Sequence, residues 1–329
     1  MKEQGKRCIL GGMILATFLL GLIFASPAWV QEDYPKQGPI SLICTYPAGG
    51  ATDMTTRLIG DLMSKALNQV VVVENKPGAG GTIGYAWAAK QKGDGYTIIS
   101  SANSPVVAFQ QNRKLPYTPT DFKPICKVCE FPQGIHVLGK SNLKTLGELV
   151  NYCRKNPGLK YGVMIGSWQH LTVTLFTKQA NIKMTAVPFT GDVPATQALL
   201  GEHIPAAVIT VSAIRSLIEA GTVRTLAVFP DIRTDEFPNL PTLKEQGYDV
   251  GIYALGYGMF APKDTPDSII RKLEAVMKQI DKLPEFHEKL QKIGMMRRFV
   301  GTEDFKKLLD KERESCTMAY KILGPLDAQ

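Results

Sequence analysis

Residues 40–84 read ISLICTYPAGGATDMTTRLIGDLMSKALNQVVVVENKPGAGGTIG and contain two short apolar runs, each followed by a glycine-rich turn. The runs at 40–45 and 70–74 have the length and the β-branched composition of buried strands. After each turn, apolar residues recur at helical spacing, which indicates a helix. The stretch therefore predicts two neighbouring parallel strands whose glycine-rich exits lie side by side at one edge of a sheet.

The two turns, at 46–53 and 75–81, have the composition of an anion-binding surface. Glycine lacks Cβ, so its backbone can adopt positive φ and approach a ligand closely. Each turn precedes a helix N-terminus, where backbone N–H groups are unpaired and the helix dipole is positive. A third polar loop, at 101–105, follows the next predicted strand at the same edge. These features predict an anion receptor that is electropositive through backbone dipoles rather than through a cationic side chain.

Nucleotide binding is not expected from these glycines. A P-loop requires Gly-Lys-Ser/Thr, whereas Gly80-Gly81-Thr82 has no lysine. A dinucleotide-binding fingerprint would need a glycine at the position of Ile83. Asp53 is expected to cap or brace its own loop, as Thr52 can cap, or to bind an amine of the ligand, because a carboxylate facing an anion would repel it.

The order of predicted elements indicates two α/β lobes. A β-α-β-α-β pattern occupies the first part of the chain, and the pattern restarts at about residue 126. We expect the first lobe to comprise 29–125 and 251–329, with the second lobe, 126–250, inserted in it. Two chain crossings then form a hinge. Each lobe is predicted to be a mostly parallel sheet flanked by helices.

Composition and charge exclude some classes of partner. The 329 residues are 44% hydrophobic and 21% charged, which suffices for two domains with a full core in each. The formal net charge is +8, but the basic residues are scattered and are not interleaved with aromatic side chains. Nucleic acid is therefore not expected as a partner. A mild positive field suits small anionic solutes.

The N-terminus has the features of an export signal. Three basic residues lie within 2–7, and a charge-free stretch runs from 8 to 31. The apolar part ends before Ser26-Pro27-Ala28, which fits a small-x-small cleavage site. An uncleaved anchor is the alternative, because about 18 apolar residues approach the minimum that spans a bilayer. We expect residues 1–28 to be a signal peptide and the mature chain to be periplasmic.

The cysteines and histidines predict neither a metal site nor a cofactor. Removal of the signal peptide leaves an odd number of cysteines, so at least one thiol is free. Cys126 and Cys129 lie in a strand-like run, where residues three apart point to opposite faces and form disulfides poorly. No second Cys-x-x-Cys and no paired histidine accompany them. We interpret the cysteines as small buried hydrophobic residues.

Ser167 and His170 raise the possibility of a secreted α/β hydrolase or transferase, with Asp192 as a third member. There is no Gly-x-Ser-x-Gly motif, and a serine and a histidine three residues apart need a third orienting group to act as nucleophile and base. Ser167 is expected instead to cap a helix. For His170, ligand contact and packing on the helix both remain open.

Several segments resemble one family of transport receptors. YPAGGATDMTTR, VVVVENKPGAGGTIG, DGYTIISSANSP and PFTGDVPATQALLGEHIPAAV are similar to the tripartite tricarboxylate transporter substrate-binding family, also called the Bug family. NLPTLKEQGYD and APKDTP match it as well, so the resemblance covers essentially the whole mature chain. It implies a monomeric, non-catalytic receptor with the type II periplasmic-binding-protein (Venus flytrap) fold. Such a receptor delivers a small carboxylate, whether di- or tricarboxylate, amino acid or aromatic acid, to membrane permease subunits.

The resemblance also implies where the ligand binds. In the family, backbone amides and bridging waters of the two glycine-rich loops hold the carboxylate, and the second lobe closes over it. Cys44 replaces the usual aliphatic residue, and the bulky Trp168 suggests a planar or aromatic ligand. Together with the third loop, the expected ligand contacts are Tyr46, Ala48, Gly49, Gly50, Ala51, Thr52, Asp53, Gly78, Ala79, Gly80, Gly81, Ser101, Asn103, Gly166, Ser167, Trp168, His170, Thr190, Gly191 and Asp192.

Overall fold

A computed structural model describes residues 34–111, 114–233, 237–252 and 255–324. The expected signal peptide, residues 1–28, lies outside them. Within the described ranges, no helix has the length and apolar character needed to span a bilayer.

The strands form two sheets. Their bounds are β1 Ile40–Cys44, β2 Val71–Asn75, β3 Thr97–Ala102, β4 Phe122–Phe131, β5 Gln133–Leu138, β6 Leu159–Val163, β7 Met184–Pro188, β8 Ala206–Thr210, β9 Val223–Val228, β10 Leu255–Pro262 and β11 Met296–Gly301. The first sheet has the order β11-β4-β10-β3-β1-β2, and the second has the order β7-β6-β8-β5-β9.

Helices flank both sheets. Their bounds are α1 Ala51–Leu67, α2 Thr82–Ala88, α3 Ser104–Val107, α4 Leu146–Lys155, α5 Trp168–Gln179, α6 Asp192–Leu200, α7 Arg215–Glu219, α8 Asp267–Ile280, α9 Pro284–Ile293 and α10 Thr302–Leu323. In α1, Leu58, Ile59, Leu62 and Met63 are buried at helical spacing, so this face packs on the first sheet.

The predicted pairing of the two glycine-loop strands is confirmed. β1 runs parallel to β2, with Cys44 opposite Asn75 at their carboxyl ends, and β3 pairs in parallel with the other edge of β1. Strands β10 and β11 are antiparallel to their neighbours, so the first sheet is mixed. In the second sheet β6 is parallel to β7 and β8, whereas β5 is antiparallel. The two-lobed α/β fold is therefore as predicted, but both sheets are mixed rather than mostly parallel, because antiparallel strands complete each of them.

The chain crosses between the sheets later than the sequence suggested. The expected boundary at 126 falls inside β4, and this whole strand pairs with β10 in the first sheet, from Pro262 opposite Phe122 to Leu255 opposite Phe131. The next strand, β5, starts at Gln133 in the second sheet. The first crossing is thus at Pro132, because β4 completes the first sheet before the chain leaves it.

The C-terminal helix joins the lobes. On α10, Phe305 and Leu309 belong to the same apolar cluster as Ile99 of the first sheet and Phe176 of the second lobe. The described cysteines, at 44, 126, 129, 153 and 316, are buried free thiols, which agrees with their interpretation as small hydrophobic residues.

Candidate functional site

The two glycine-rich loops lie against each other at the ends of β1 and β2. The hydroxyl of Tyr46 in the first loop donates a hydrogen bond to the carbonyl of Gly80 in the second, at 3.1 Å. The backbone at Gly49, Gly50, Ala79 and Gly80 is exposed. Both loops therefore present their backbone to solvent on one surface.

Glycine is required at two positions of the second loop. Gly80 has φ of +68°, and an added Cβ would lie 2.8 Å from the ring of Phe109. Gly81 has φ of +96°, and its Cβ would lie 2.7 Å from the hydroxyl of Thr45. Residues that carry a Cβ rarely adopt these φ values, and the space that the Cβ would occupy is already filled by neighbouring side chains. The loop consequently keeps a bare backbone towards the cleft.

Three helices at the predicted cleft begin at a glycine. Gly50, Gly81 and Gly191 are the N-cap residues of α1, α2 and α6, and none of these helix ends has a side-chain cap. On α4, by contrast, Thr145 accepts a hydrogen bond from the amide of Glu148. Thr52 and Asp53, expected as possible caps, lie inside the first turn of α1. The first amides of α1 are thus not occupied by a capping side chain.

Asp53 braces the first loop. Its carboxylate accepts hydrogen bonds from the amide of Gly49 (2.9 Å), from Nε of Arg57 (3.0 Å) and from Nδ2 of Asn75 (2.8 Å). Burial acts to raise the pKa of Asp53, but these hydrogen bonds outweigh it and hold the pKa below its ordinary value. A carboxylate with both oxygens engaged in this way supports the loop.

Replacement of Asp53 by alanine is expected to destabilise the protein. The variant leaves the amide of Gly49 and the side chain of Asn75 without their acceptor, so it should lose about 1–3 kcal/mol of unfolding free energy at pH 7. The depressed pKa means that this stabilisation is present above the ordinary aspartate pKa and is lost as the pH falls through the lower native value. Urea unfolding at pH 7 and at pH 3 measures both effects.

A suitable control is Asp304→Asn, because the side chain of Asp304 is 76% exposed and pairs with the equally exposed Lys307. This control should change stability little. Equal losses in the two variants would contradict the assignment of Asp53 as a brace.

The third loop, 101–105, supports the two glycine-rich loops, which together we call the anion cradle. The hydroxyl of Ser101 accepts a hydrogen bond from the amide of Thr45 at 3.2 Å and lies 2.8 Å from its hydroxyl. Nδ2 of Asn103 donates to Oε2 of Glu312 at 3.3 Å. Both side chains are completely buried. We infer that Ser101 and Asn103, expected as ligand contacts, hold the loop rather than touch the solute.

Ser167 and His170 brace a turn of the second lobe. The hydroxyl of Ser167 accepts a hydrogen bond from the amide of His170 at 3.4 Å, so it caps α5 as expected. Nδ1 of His170 accepts from the amide of Gly166 at 3.1 Å. Burial lowers the pKa of His170 to about 4, so the ring is neutral at pH 7. Both side chains are occupied in shaping the turn, which accounts for them without catalysis.

Trp168 points into the core. It is 5% exposed, and its indole N–H donates to the hydroxyl of Ser104 on the first lobe at 2.9 Å. The expectation that Trp168 indicates a planar ligand is not supported, because the ring packs among buried side chains of both lobes. The residue thus connects the two lobes.

A cavity of about 800 Å³ lies between the lobes, and we call it the interlobe cavity. Two predicted site residues line it: Ala51 at the start of α1 and Asp192 at the start of α6. The neighbouring Thr190 is exposed. A carboxylate oxygen of Asp192 accepts a hydrogen bond from the amide of Thr210 at 3.2 Å. Another cavity, of about 750 Å³, lies between α8 and α10 and contains none of the predicted site residues.

Sequence reasoning missed several residues of the interlobe cavity. They are Phe131, Thr210, Ser212, Ala213, Arg215, Gln291, Lys292, Ile293 and Gly294. The polar residues that follow β8 gave a usable signal, because loops at the carboxyl ends of strands form binding sites. No sequence signal indicated the cavity residues at the end of α9, from Gln291 to Gly294. Among the described residues, no group of three or more histidine, cysteine, aspartate or glutamate side chains is placed to hold a metal.

Comparison with known families places most of the chain in one of them. The sequence profile of TctC, described as "Tripartite tricarboxylate transporter family receptor", matches residues 55–321. A Cupriavidus necator protein, "UPF0065 protein in gbd 5'region", is 35% identical over 298 residues, which is 89% of this chain and 90% of the relative. "Protein BugT" of Bordetella pertussis is 32% identical over 262 residues, 78% of this chain and 80% of that protein.

Solved structures with the same fold include proteins with bound carboxylates. A ligand-free TctC solute-binding protein from Polaromonas has a TM-score of 0.80 and 29% identity, covering 88% of this chain and 99% of its own. Rpa4515 of R. palustris, solved with adipate, has a TM-score of 0.68 and 28% identity, covering 88% and 98%. MatC from Rhodopseudomonas palustris, solved with malate, has a TM-score of 0.63 and 25% identity, covering 86% and 99%.

Proposed function

Because the chain belongs to the tripartite tricarboxylate transporter receptor family, we propose that it captures a small carboxylate outside the cytoplasm and delivers it to the permease subunits of such a transporter. The family resemblance drawn from the motifs is confirmed. The family and its structural neighbours are periplasmic solute-binding receptors rather than enzymes, so the hydrolase or transferase alternative is set aside. We propose that the protein is exported by residues 1–28 and acts as a monomer.

The observation that carries this proposal is the pair of exposed glycine-rich loops joined by the Tyr46–Gly80 hydrogen bond. Each loop leads into a helix without a side-chain cap. A hydrogen bond from such an amide to a charged group contributes roughly 1.5–3 kcal/mol net. Three or four of them, offset by the cost of ordering the partners, correspond to about micromolar affinity, or ~−8 kcal/mol. Because these donors are neutral backbone amides, they also allow the receptor to release its ligand.

The two lobes give the receptor a way to respond to its ligand. In our proposal the first lobe, 34–131 with 255–324, holds the carboxylate on its glycine loops. The second lobe, 133–252, closes with the turns at 166–170 and 190–192. Closure follows if the ligand contacts both lobes, because it then binds the closed state more tightly than the open one. Adipate and malate in the neighbouring structures support a small carboxylate as the ligand class.

The proposal is tested by thermal unfolding of the mature protein, residues 29–329, after removal of co-purified ligand. We expect one group among mono-, di- and tricarboxylates, amino acids and aromatic acids to raise the melting temperature by several degrees. Above Kd the stabilisation should grow with the logarithm of the ligand concentration, as mass action requires, and reach about 2.7 kcal/mol at a hundredfold excess over Kd. The uncharged amide of the best acid is the control and should give no shift. No shift with any carboxylate would contradict the anion cradle.

A further inference from the structure

A buried carboxyl group on α10 is hydrogen-bonded to the third loop. Glu312 and Asn103 are both completely buried, and Oε2 of Glu312 accepts the 3.3 Å hydrogen bond from Nδ2 of Asn103. Their remaining oxygens, Oε1 of Glu312 and Oδ1 of Asn103, have no hydrogen-bond partner in the described part of the chain, although buried polar atoms are rarely left without one. A carboxylate and an amide oxygen are both acceptors, whereas a protonated carboxyl group is a donor. A proton on Oε1 would therefore let the two side chains form two hydrogen bonds.

The charged groups around Glu312 balance one another without it. Lys127 and Glu130 of β4 form a buried ion pair. Arg298 of β11 binds Asp231 of the second lobe at 3.1 Å and lies 3.9 Å from Glu130. These four groups carry two positive and two negative charges, so an ionised Glu312 makes the cluster negative overall. Because burial makes an uncompensated charge costly, the cluster favours a neutral Glu312.

Burial is the main influence on the pKa of Glu312. It raises the pKa to about 7, although the positive charge of Lys127 opposes it. The carboxylates of Glu130 and Asp231 act in the same direction as burial. Burial acts to lower the pKa of Lys127, but Glu130 and Glu312 outweigh it, so the ammonium group stays charged.

Other titratable groups that pack along α10 do not account for a proton at this place. On α8, Glu274 accepts a hydrogen bond from the hydroxyl of Thr302, in the first turn of α10, at 2.8 Å. On α5, burial lowers the pKa of His170 to about 4, so its ring is neutral at pH 7. The thiol of Cys316, one turn after Glu312, has a pKa raised by burial and is neutral as well. Glu312 is thus the group of this cluster that exchanges a proton near neutral pH.

The loop that Glu312 holds contacts both the anion cradle and the second lobe. An added Cβ at Gly81 of the cradle would lie 3.2 Å from the ring of Pro105, so the third loop fills the space behind Gly81. The hydroxyl of Ser104 accepts the indole N–H of Trp168 from the second lobe at 2.9 Å. A change in the position of the third loop consequently reaches the cradle and the contact between the lobes.

We propose that Glu312 binds a proton that joins it to Asn103 and fixes the third loop, so that the receptor loses affinity for carboxylates when this proton leaves. The statement about affinity rests on the proposed function, whereas the proton itself does not. Loss of the proton removes a hydrogen bond from the loop and places a buried negative charge beside it, and both changes disfavour a bound anion. By linkage, the receptor takes up protons when it binds a carboxylate. Glu312 is a positioning residue that strengthens capture in acidic surroundings.

Glu312→Gln separates the proton from the side chain, because a glutamine amide has the shape of the protonated carboxyl group and can both accept from Asn103 and donate to it. Glu314→Gln is the matched control, at an exposed position of the same helix. Urea unfolding of the ligand-free mature protein at pH 5 and pH 8.5 measures the proton. A carboxyl group with a raised native pKa favours the native state at low pH, and this advantage is lost as the pH rises to the native value.

We therefore expect the urea midpoint of Glu312→Gln, relative to wild type, to be higher at pH 8.5 than at pH 5, while Glu314→Gln follows wild type at both. Infrared spectra of wild type should show a protonated carboxyl band that disappears as the pH is raised from 6 to 9 and is absent from Glu312→Gln. A midpoint difference that stays constant or decreases with pH, or the lack of such a band in wild type, would overturn the proton assignment. Failure of Glu312→Gln to fold would also overturn it, because the proposal makes the neutral side chain the native form.

The effect on affinity is tested by isothermal titration at pH 6.5 and pH 8.5 with malate, adipate and the acid that gives the largest thermal shift. We expect wild type and Glu314→Gln to bind about tenfold more weakly at pH 8.5, roughly the effect of one hydrogen bond. Glu312→Gln should bind equally at both pH values, with the affinity of wild type at pH 6.5. The same pH dependence in Glu312→Gln and wild type would overturn the coupling while the proposed function stands. Wild type that binds none of these acids at either pH would overturn the proposed function and the coupling, and the unfolding experiment would still decide the proton assignment.

Discussion

Gly80→Val is expected to reduce carboxylate binding by at least about a hundredfold, the equivalent of two hydrogen bonds to a charged group. Gly80 has φ of +68°, which a β-branched residue adopts only with strain. Its new side chain would also meet the ring of Phe109. The second loop must then change shape, and it loses its hydrogen bond from Tyr46 together with the alignment of its amides. Isothermal titration with the acid identified by thermal unfolding measures the loss.

Two further glycine variants separate the effect on binding from backbone strain. Gly49 and Gly247 have φ of +85° and +91°, and an added Cβ at either would meet nothing within 4 Å. Gly49→Val and Gly247→Val should therefore destabilise the protein by similar amounts, but only the first changes a loop of the cradle. We expect a cooperative unfolding transition in all three variants. Retained affinity in Gly80→Val or Gly49→Val would contradict the backbone cradle.

The parts of the fold and site that local sequence determines were predictable. The glycine spacing and the β-branched runs predicted that β1 and β2 are neighbours and that the turns after them lie side by side. Such predictions succeed because strand and turn preferences depend on short stretches of sequence. Ser167 was recognised as a cap by its position before an apolar periodic segment. These signals depend on the residues themselves and their immediate neighbours.

The differences between prediction and structure depend on contacts between residues that are far apart in the chain. A strand has the same pattern whichever sheet it joins, so nothing in the sequence of β4 indicated that it completes the first sheet. Trp168 is buried because Ser104, from the other lobe, accepts its indole N–H. Arg215 and Lys292 share a cavity only because α7 and α9 face each other across the cleft. In each case the deciding contact joins residues far apart in the chain.

Lys127→Met is expected to cost about 3–5 kcal/mol of unfolding free energy, because removing one partner of a buried ion pair leaves the other charge uncompensated. Lys127 and Glu130, both on β4, form an ion pair with each side chain 1% exposed. Glu312, on α10, is completely buried nearby. Arg298 approaches Glu130 only to 3.9 Å and pairs instead with Asp231, at 3.1 Å. The variant would therefore leave Glu130 without its ion-pair partner and Glu312 without the cation that lowers its pKa.

The loss should depend on pH through Glu312. Burial, partly offset by Lys127, raises the pKa of Glu312 to about 7. A raised carboxyl pKa favours the native state at low pH, and this advantage is lost as the pH rises through the native value. Without Lys127 the pKa of Glu312 rises further. Urea unfolding should accordingly show a larger difference between wild type and Lys127→Met at pH 8 than at pH 5.5.

The double variant Lys127→Met/Glu130→Gln tests whether the pair is the cause. Both charges of the pair are then removed together, so the cost that remains is that of a neutral buried amide rather than that of an unpaired buried carboxylate. We expect the double variant to recover most of the stability that Lys127→Met loses, a coupling that a thermodynamic cycle measures directly. Additive losses would show that Lys127 acts through packing alone. The Lys127–Glu130 ion pair would then have no separate part in stabilising the first lobe.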